Sequence, residues 1–159
     1  MIFGIVLLII VGLSEIFIGA FSLLSPLLIA NALLYKSESY LKYLPYIIVL
    51  TLVLDYWRGL PFGSVFFGLA LSWFAYAGLN MAIHSDSIMS RGVKITLSFL
   101  INHLWIYLML NIDKLALSSV VHFMGKALLI ALLETLMYMF IRFLKNQLSG
   151  GDMAVKVRY

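Results

Sequence analysis

Leu54-Asp55-Tyr56-Trp57-Arg58-Gly59-Leu60-Pro61-Phe62-Gly63 interrupts two apolar runs near the middle of the chain. Asp55 and Arg58 are three residues apart, so one helical turn places them to pair. Tyr56 and Trp57 suit a membrane–water interface. Gly59 and Gly63 permit a sharp reversal and Pro61 fixes it. The stretch reads as a turn between two helices, and the runs on either side decide what those helices cross. Gly59 and Gly63 also match a GxxxG pattern, but Pro61 and the interhelical position argue against a dimerisation motif.

Hydrophobic residues make up 64% of the 159 residues and charged residues only 11%. A soluble domain carries about 25% charged residues. The mean hydropathy of +1.06 leaves too little polar surface to cover so apolar a core. The bilayer is therefore the expected solvent for one all-α polytopic domain. There is no cysteine, so disulfides and thiolate metal sites are excluded. The net charge of +4 is modest and points to membrane topology rather than nucleic-acid binding. No Lys or Arg precedes Lys36, which argues against a cleaved signal peptide and for a retained first helix.

A bilayer core of about 30 Å needs about 20 apolar residues in a helix. Six segments approach this: about 2–23, 26–42, 45–57, 63–83, 93–110 and 118–144. Pro26 fits the first turn of the second helix. That helix is doubtful as a span, because its strongly apolar part ends at Tyr35 and Lys36, Glu38 and Lys42 follow. Residues 146–159 read as a polar tail, with Ser149-Gly150-Gly151 marking an exposed, flexible segment. With both termini cytoplasmic, the inner side holds Lys36, Lys42, Arg91, Lys94, Arg142, Lys145, Lys156 and Arg158. The outer side then holds Arg58, Lys114 and Lys126, so the positive-inside rule favours this orientation. Dropping the second helix would instead leave the N-terminus outside.

Ionisable residues inside a membrane are costly and mark candidate sites. Glu15 lies within the first helix, Glu134 within the sixth, and Asn102 and His103 within the fifth. Glu134 is expected to be protonated or paired across helices, with Asn102 and His103 as candidates by depth. Glu15 has the same two readings. Ser64, Gly68 and Ser72 form a small-residue ridge along the fourth helix, continued by Ala75. Such a ridge suits close packing within the chain or against a partner helix, a second copy included.

Enzyme signatures are missing from the sequence. It has no GxSxG motif and no Gly-rich phosphate loop. Asp55, Asp86 and Asp113 lack the Asn- and Gly-rich surroundings of lipoprotein signal peptidase. The dense aspartates of CDP-alcohol phosphotransferases are absent too. His122 and Lys126 lie one turn apart, without the dense ligand spacing of a metal site. No catalytic group, cofactor or metal is expected.

The stretch 53–63 resembles the signature of the bacterial rod shape-determining protein MreD family. Asp55, Gly59, Pro61 and Gly63 fit that signature. Tyr56, Trp57 and Arg58 are bulkier than usual, and Phe62 replaces a common Leu. The length, the Pro before the second helix and the final helix followed by basic residues agree along the whole chain. The interrupted second helix departs from the pattern.

The resemblance implies a non-catalytic scaffold in the cell-wall elongation machinery, acting in rod-shape maintenance. It implies MreC as partner, with MreB, RodA and the elongation-specific penicillin-binding protein in the wider complex. It also implies the bacterial cytoplasmic (inner) membrane as location. The implied fold is a six-helix bundle similar to the S components of energy-coupling-factor transporters. Asp55, Arg58, Gly59, Pro61, Gly63, Ser64, Gly68 and Ser72 become the motif and docking candidates. An S component itself, binding a small ligand, is the alternative. Against it, the first helix carries Gly12, Gly19 and Ala20 but no Ala-x-x-x-Ala motif, and polar residues on the outer side are few.

Overall fold

The computed structural model of the chain describes residues 10–15, 25–34, 40–85, 87–111 and 117–155. Its regular structure is helical throughout, with no strand among the described residues. We label the helices α1 (10–15), α2 (Pro26–Leu34), α3 (Tyr40–Arg58), α4 (Ser64–Ala82), α5 (Ile88–Leu110) and α6 (Leu117–Val155). α5 is central and packs on both α4 and α6, while α3 lies against α4 and α2 against α6. α1 meets α3 where Gly12 closely approaches the Leu50 side chain.

Among the described residues three helices are long and apolar enough to cross a bilayer: Ser64–Ala82, Ile88–Leu110 and the Val120–Leu144 portion of α6. Their outward residues are large and apolar, including Phe67, Phe74, Leu129, Leu136 and Phe140, all more than half exposed. Faces of this kind suit lipid tails better than water. Inside the bundle, Leu28, Ile47, Leu54, Leu69, Phe99 and Ala131 form part of one core. In lipid this burial gains close packing rather than release of water, so hydrogen bonds and tight contacts set specificity.

Several boundaries differ from the sequence expectation. α2 has nine described residues, about 13 Å of helix, well short of a bilayer. Residues 40–42, assigned by pattern to the second helix, belong to α3. α3 starts at Tyr40 rather than Pro45 and carries Pro45 inside. Proline removes one backbone hydrogen bond there, but Tyr43 packs against the core and holds the extra turn in place. α5 starts five residues earlier than expected because Ser87 caps it, accepting from the Ser90 N–H at 3.1 Å. α6 stays helical through Gly150 and Gly151 to Val155, where a tail was expected. Glycine in a helix costs only about 1 kcal/mol, and no proline intervenes. Residues 1–9, 16–24, 35–39 and 156–159, to which the first helix, the second helix and the tail were also assigned, lie outside the described residues.

Candidate functional site

The 54–63 stretch is a turn built from two helix ends. At the end of α3, the Leu60 N–H donates to the Asp55 carbonyl at 2.9 Å and the Gly59 N–H to the Tyr56 carbonyl at 3.3 Å. This is a Schellman pair, and Gly59 takes the left-handed φ of 64° that it requires. Leu60 is buried directly beyond it. α4 then starts after Gly63, at φ 89°, a residue with no side chain to cap the helix.

Asp55 supplies that cap from the preceding helix. Its Oδ2 accepts the Gly63 N–H at 2.7 Å and its Oδ1 the Val65 N–H at 2.9 Å. The carboxylate is fully buried, and the positive end of the α4 dipole offsets its charge. Ser64 Oγ closes the turn by donating to the Pro61 carbonyl at 2.6 Å. Asp55, Gly59, Pro61, Gly63 and Ser64 thus act together in one backbone device.

Arg58 does not pair with Asp55, contrary to the spacing argument. Both Asp55 oxygens are occupied by α4, and the Arg58 Nη2 donates instead to Glu15 Oε1 of α1 at 2.6 Å. The Glu15 side chain is 1% exposed and that of Arg58 23%, so the pair runs from the core toward the surface. Glu15 Oε2 accepts the Leu27 N–H at 2.9 Å and the Ser25 hydroxyl at 3.2 Å.

Glu134 of α6 approaches the same point. Its Oε1 accepts the Ser25 N–H at 2.6 Å and its Oε2 lies 2.7 Å from His103 Nε2 of α5. Of the two depth candidates, His103 is therefore the partner of Glu134. Asn102 is buried elsewhere, with its Nδ2 only 2.8 Å from where a Cβ on Gly68 would stand. Ser25 precedes α2 and Leu27 lies in its first turn, where the N–H groups have no partners within the helix. Two carboxylates from α1 and α6 satisfy them. Ser25 was missed in the sequence reading, although Ser-Pro is a cap residue followed by a first-turn proline, a signal for this helix start.

The α4 ridge is covered within the chain. Ser64, Gly68 and Ser72 are buried, and Gly68 packs against Asn102 and Trp105 of α5. Trp105 Nε1 donates to the Ser64 carbonyl at 2.9 Å. Thr96 and Thr135 join α5 to α6 at 3.0 Å. Lys94, counted with the basic loop residues, is 2% exposed, and its ammonium donates to Asn80 Oδ1 and the Ser85 carbonyl. His122 and Lys126 are exposed. Among the described residues no group of three or more His, Asp or Glu is placed to hold a metal ion.

Around the turn, Tyr56, Trp57 and Phe62 are exposed, at 78%, 63% and 76%. The buried charges lock helix ends, while the aromatics form the surface. No family model, curated protein or solved structure matches this chain.

Proposed function

We propose that the chain is a multi-pass membrane scaffold of the MreD kind, without chemistry of its own, in the machinery that elongates the bacterial cell wall. The observation that supports this reading is the Asp55 turn. The residues that give the 53–63 stretch its MreD-like signature are those the turn uses: Asp55 caps α4, Gly59 and Gly63 take left-handed φ, and Pro61 accepts from Ser64. A signature whose members share one geometric task is more specific than a matching composition.

A second observation agrees with a scaffold. All six oxygens of Asp55, Glu15 and Glu134 engage groups of the chain itself. These carboxylates rigidify the bundle, and a rigid bundle presents a fixed surface to partner helices. The proposed architecture is six helices, similar to the S components of energy-coupling-factor transporters, in the inner membrane with both termini cytoplasmic. MreC is the proposed direct partner, and MreB, RodA and the elongation-specific penicillin-binding protein complete the complex.

The test is affinity purification of the tagged full chain, co-expressed with MreC encoded in the same genome. Recovery of MreC at a fixed ratio is expected. Exchange of Trp57 and Phe62 for Ala should lower that recovery while leaving the chain folded. Failure to recover MreC, with or without chemical cross-linking, contradicts the reading.

A further inference from the structure

Two neighbouring chambers inside the bundle share two lining residues, Asn31 of α2 and Trp73 of α4. The first is a cavity of about 40 Å³ between α2, α4, α5 and α6. Besides the shared pair, its polar lining comes from Ser72, Tyr76, Ser98 and Tyr138. The second is larger, about 390 Å³, and lies between α2, α3 and α4. Its other walls are apolar, with Leu44, Ile47, Phe66 and Ala70 among them. Leu41 and Phe74 also line it and are 77% and 69% exposed, so this chamber opens on the outside of the bundle.

The hydrogen bonds of Ser72, Ser98 and Tyr138 constrain what fits in the small cavity. Ser72 Oγ donates to the Leu69 carbonyl at 2.8 Å and Ser98 Oγ to the Lys94 carbonyl at 2.7 Å. Both hydroxyl protons are committed to the backbone, so toward a ligand either oxygen can only accept. The Tyr138 oxygen accepts from Arg142 Nη1 at 3.3 Å, which leaves its O–H as a donor. A group that both donates and accepts matches this set, and a hydroxyl is the smallest such group. A space of about 10–15 Å³ holds one water, so the cavity takes only a few non-hydrogen atoms. Among the described residues, no Asp, Glu, Lys, Arg or His lines either chamber. Arg142 reaches the Tyr138 oxygen but does not line the cavity, so a charged headgroup there would touch no counter-charge, at high cost. Charge complementarity therefore selects an uncharged head.

We propose that the two chambers together hold one single-chain lipid, with its hydrocarbon chain in the apolar chamber and an uncharged hydroxyl head in the cavity beyond Asn31 and Trp73. The lipid enters sideways from the bilayer past Leu41 and Phe74. This goes beyond the scaffold reading and does not depend on it.

Native mass spectrometry of the full chain in detergent tests the proposal with three probes of equal chain length. Oleyl alcohol carries the hydroxyl, methyl oleate lacks one, and oleate adds a charge. One saturable adduct is expected with oleyl alcohol, and binding about tenfold weaker with each of the others, the size of one hydrogen bond. Ser98→Ala removes a head acceptor and should weaken oleyl alcohol without changing methyl oleate. Ala70→Phe fills the apolar chamber and should weaken every probe. Equal uptake of the three probes, or adducts that never saturate, overturns the proposal. So does an oleyl alcohol affinity that Ser98→Ala leaves unchanged. If Ala70→Phe does not fold, the three-probe comparison and Ser98→Ala decide alone.

Discussion

Asp55 has two acceptor oxygens, and both are committed to N–H groups at the start of the next helix. Asp55→Ala leaves those donors buried without partners, which should destabilise the fold by about 2–3 kcal/mol. Asp55→Asn keeps one acceptor and should lose less. Unfolding by dodecyl sulfate in mixed micelles measures both. Arg58 follows a different logic, because its partner is Glu15. Arg58→Met strands a buried carboxylate and should cost about 3–5 kcal/mol. Adding Glu15→Gln to that variant should recover part of the loss, since the uncompensated charge is gone. Recovery from adding Asp55→Asn instead would support the i, i+3 pair that the sequence suggested. Spacing along one helix showed that Asp55 and Arg58 face nearby directions. It carried no information on α1 or on the α4 start, the tertiary neighbours that took the two charges. Glu15 and Glu134 were legible as buried polar groups because hydropathy places them at membrane depth. Their common anchor at Ser25 was not, because it depends on how α2 enters the bundle.

The α3–α4 hairpin is set by two left-handed glycines. Gly63→Ala forces a side chain into φ 89° and should cost about 1–2 kcal/mol. Gly59→Ala should cost about as much through backbone strain alone, since no atom lies within 4 Å of its added Cβ. A different constraint governs the α4–α5 contact. A Cβ on Gly68 would stand 2.8 Å from Asn102 Nδ2 and 3.1 Å from Trp105 Cδ1. Gly68→Val should therefore push the two helices apart, at a cost of about 1–3 kcal/mol, read by the same unfolding titration. The Ser64–Gly68–Ser72 spacing announced a close helix contact, and the fold supplies it within the chain through α5. Composition located α4, α5 and the apolar part of α6 because apolar runs are long-range signals. Their ends depend on single residues, such as the Ser87 cap of α5 and the tolerated Pro45 of α3, and these the apolar runs did not reveal.

At the scale of the whole molecule, buried carboxylates hold helix ends together inside a bundle whose described helices expose many large apolar side chains. Among the described residues three helices are long and apolar enough to cross a bilayer, whereas the proposed direction of crossing rests on loop charge. α4 has 19 residues, about 28 Å of helix, enough to separate its two ends by the bilayer core. The claim that the Asp55 turn lies on the outer face, between two membrane helices, is tested most directly by cysteine labelling. The chain has no native cysteine, so Phe62→Cys at the turn and Met89→Cys at the start of α5 each provide a single thiol. Both positions are well exposed, at 76% and 82%. An impermeant maleimide should label Phe62→Cys from outside intact spheroplasts and Met89→Cys only in inside-out vesicles. Labelling of both thiols from the same side would contradict the claim.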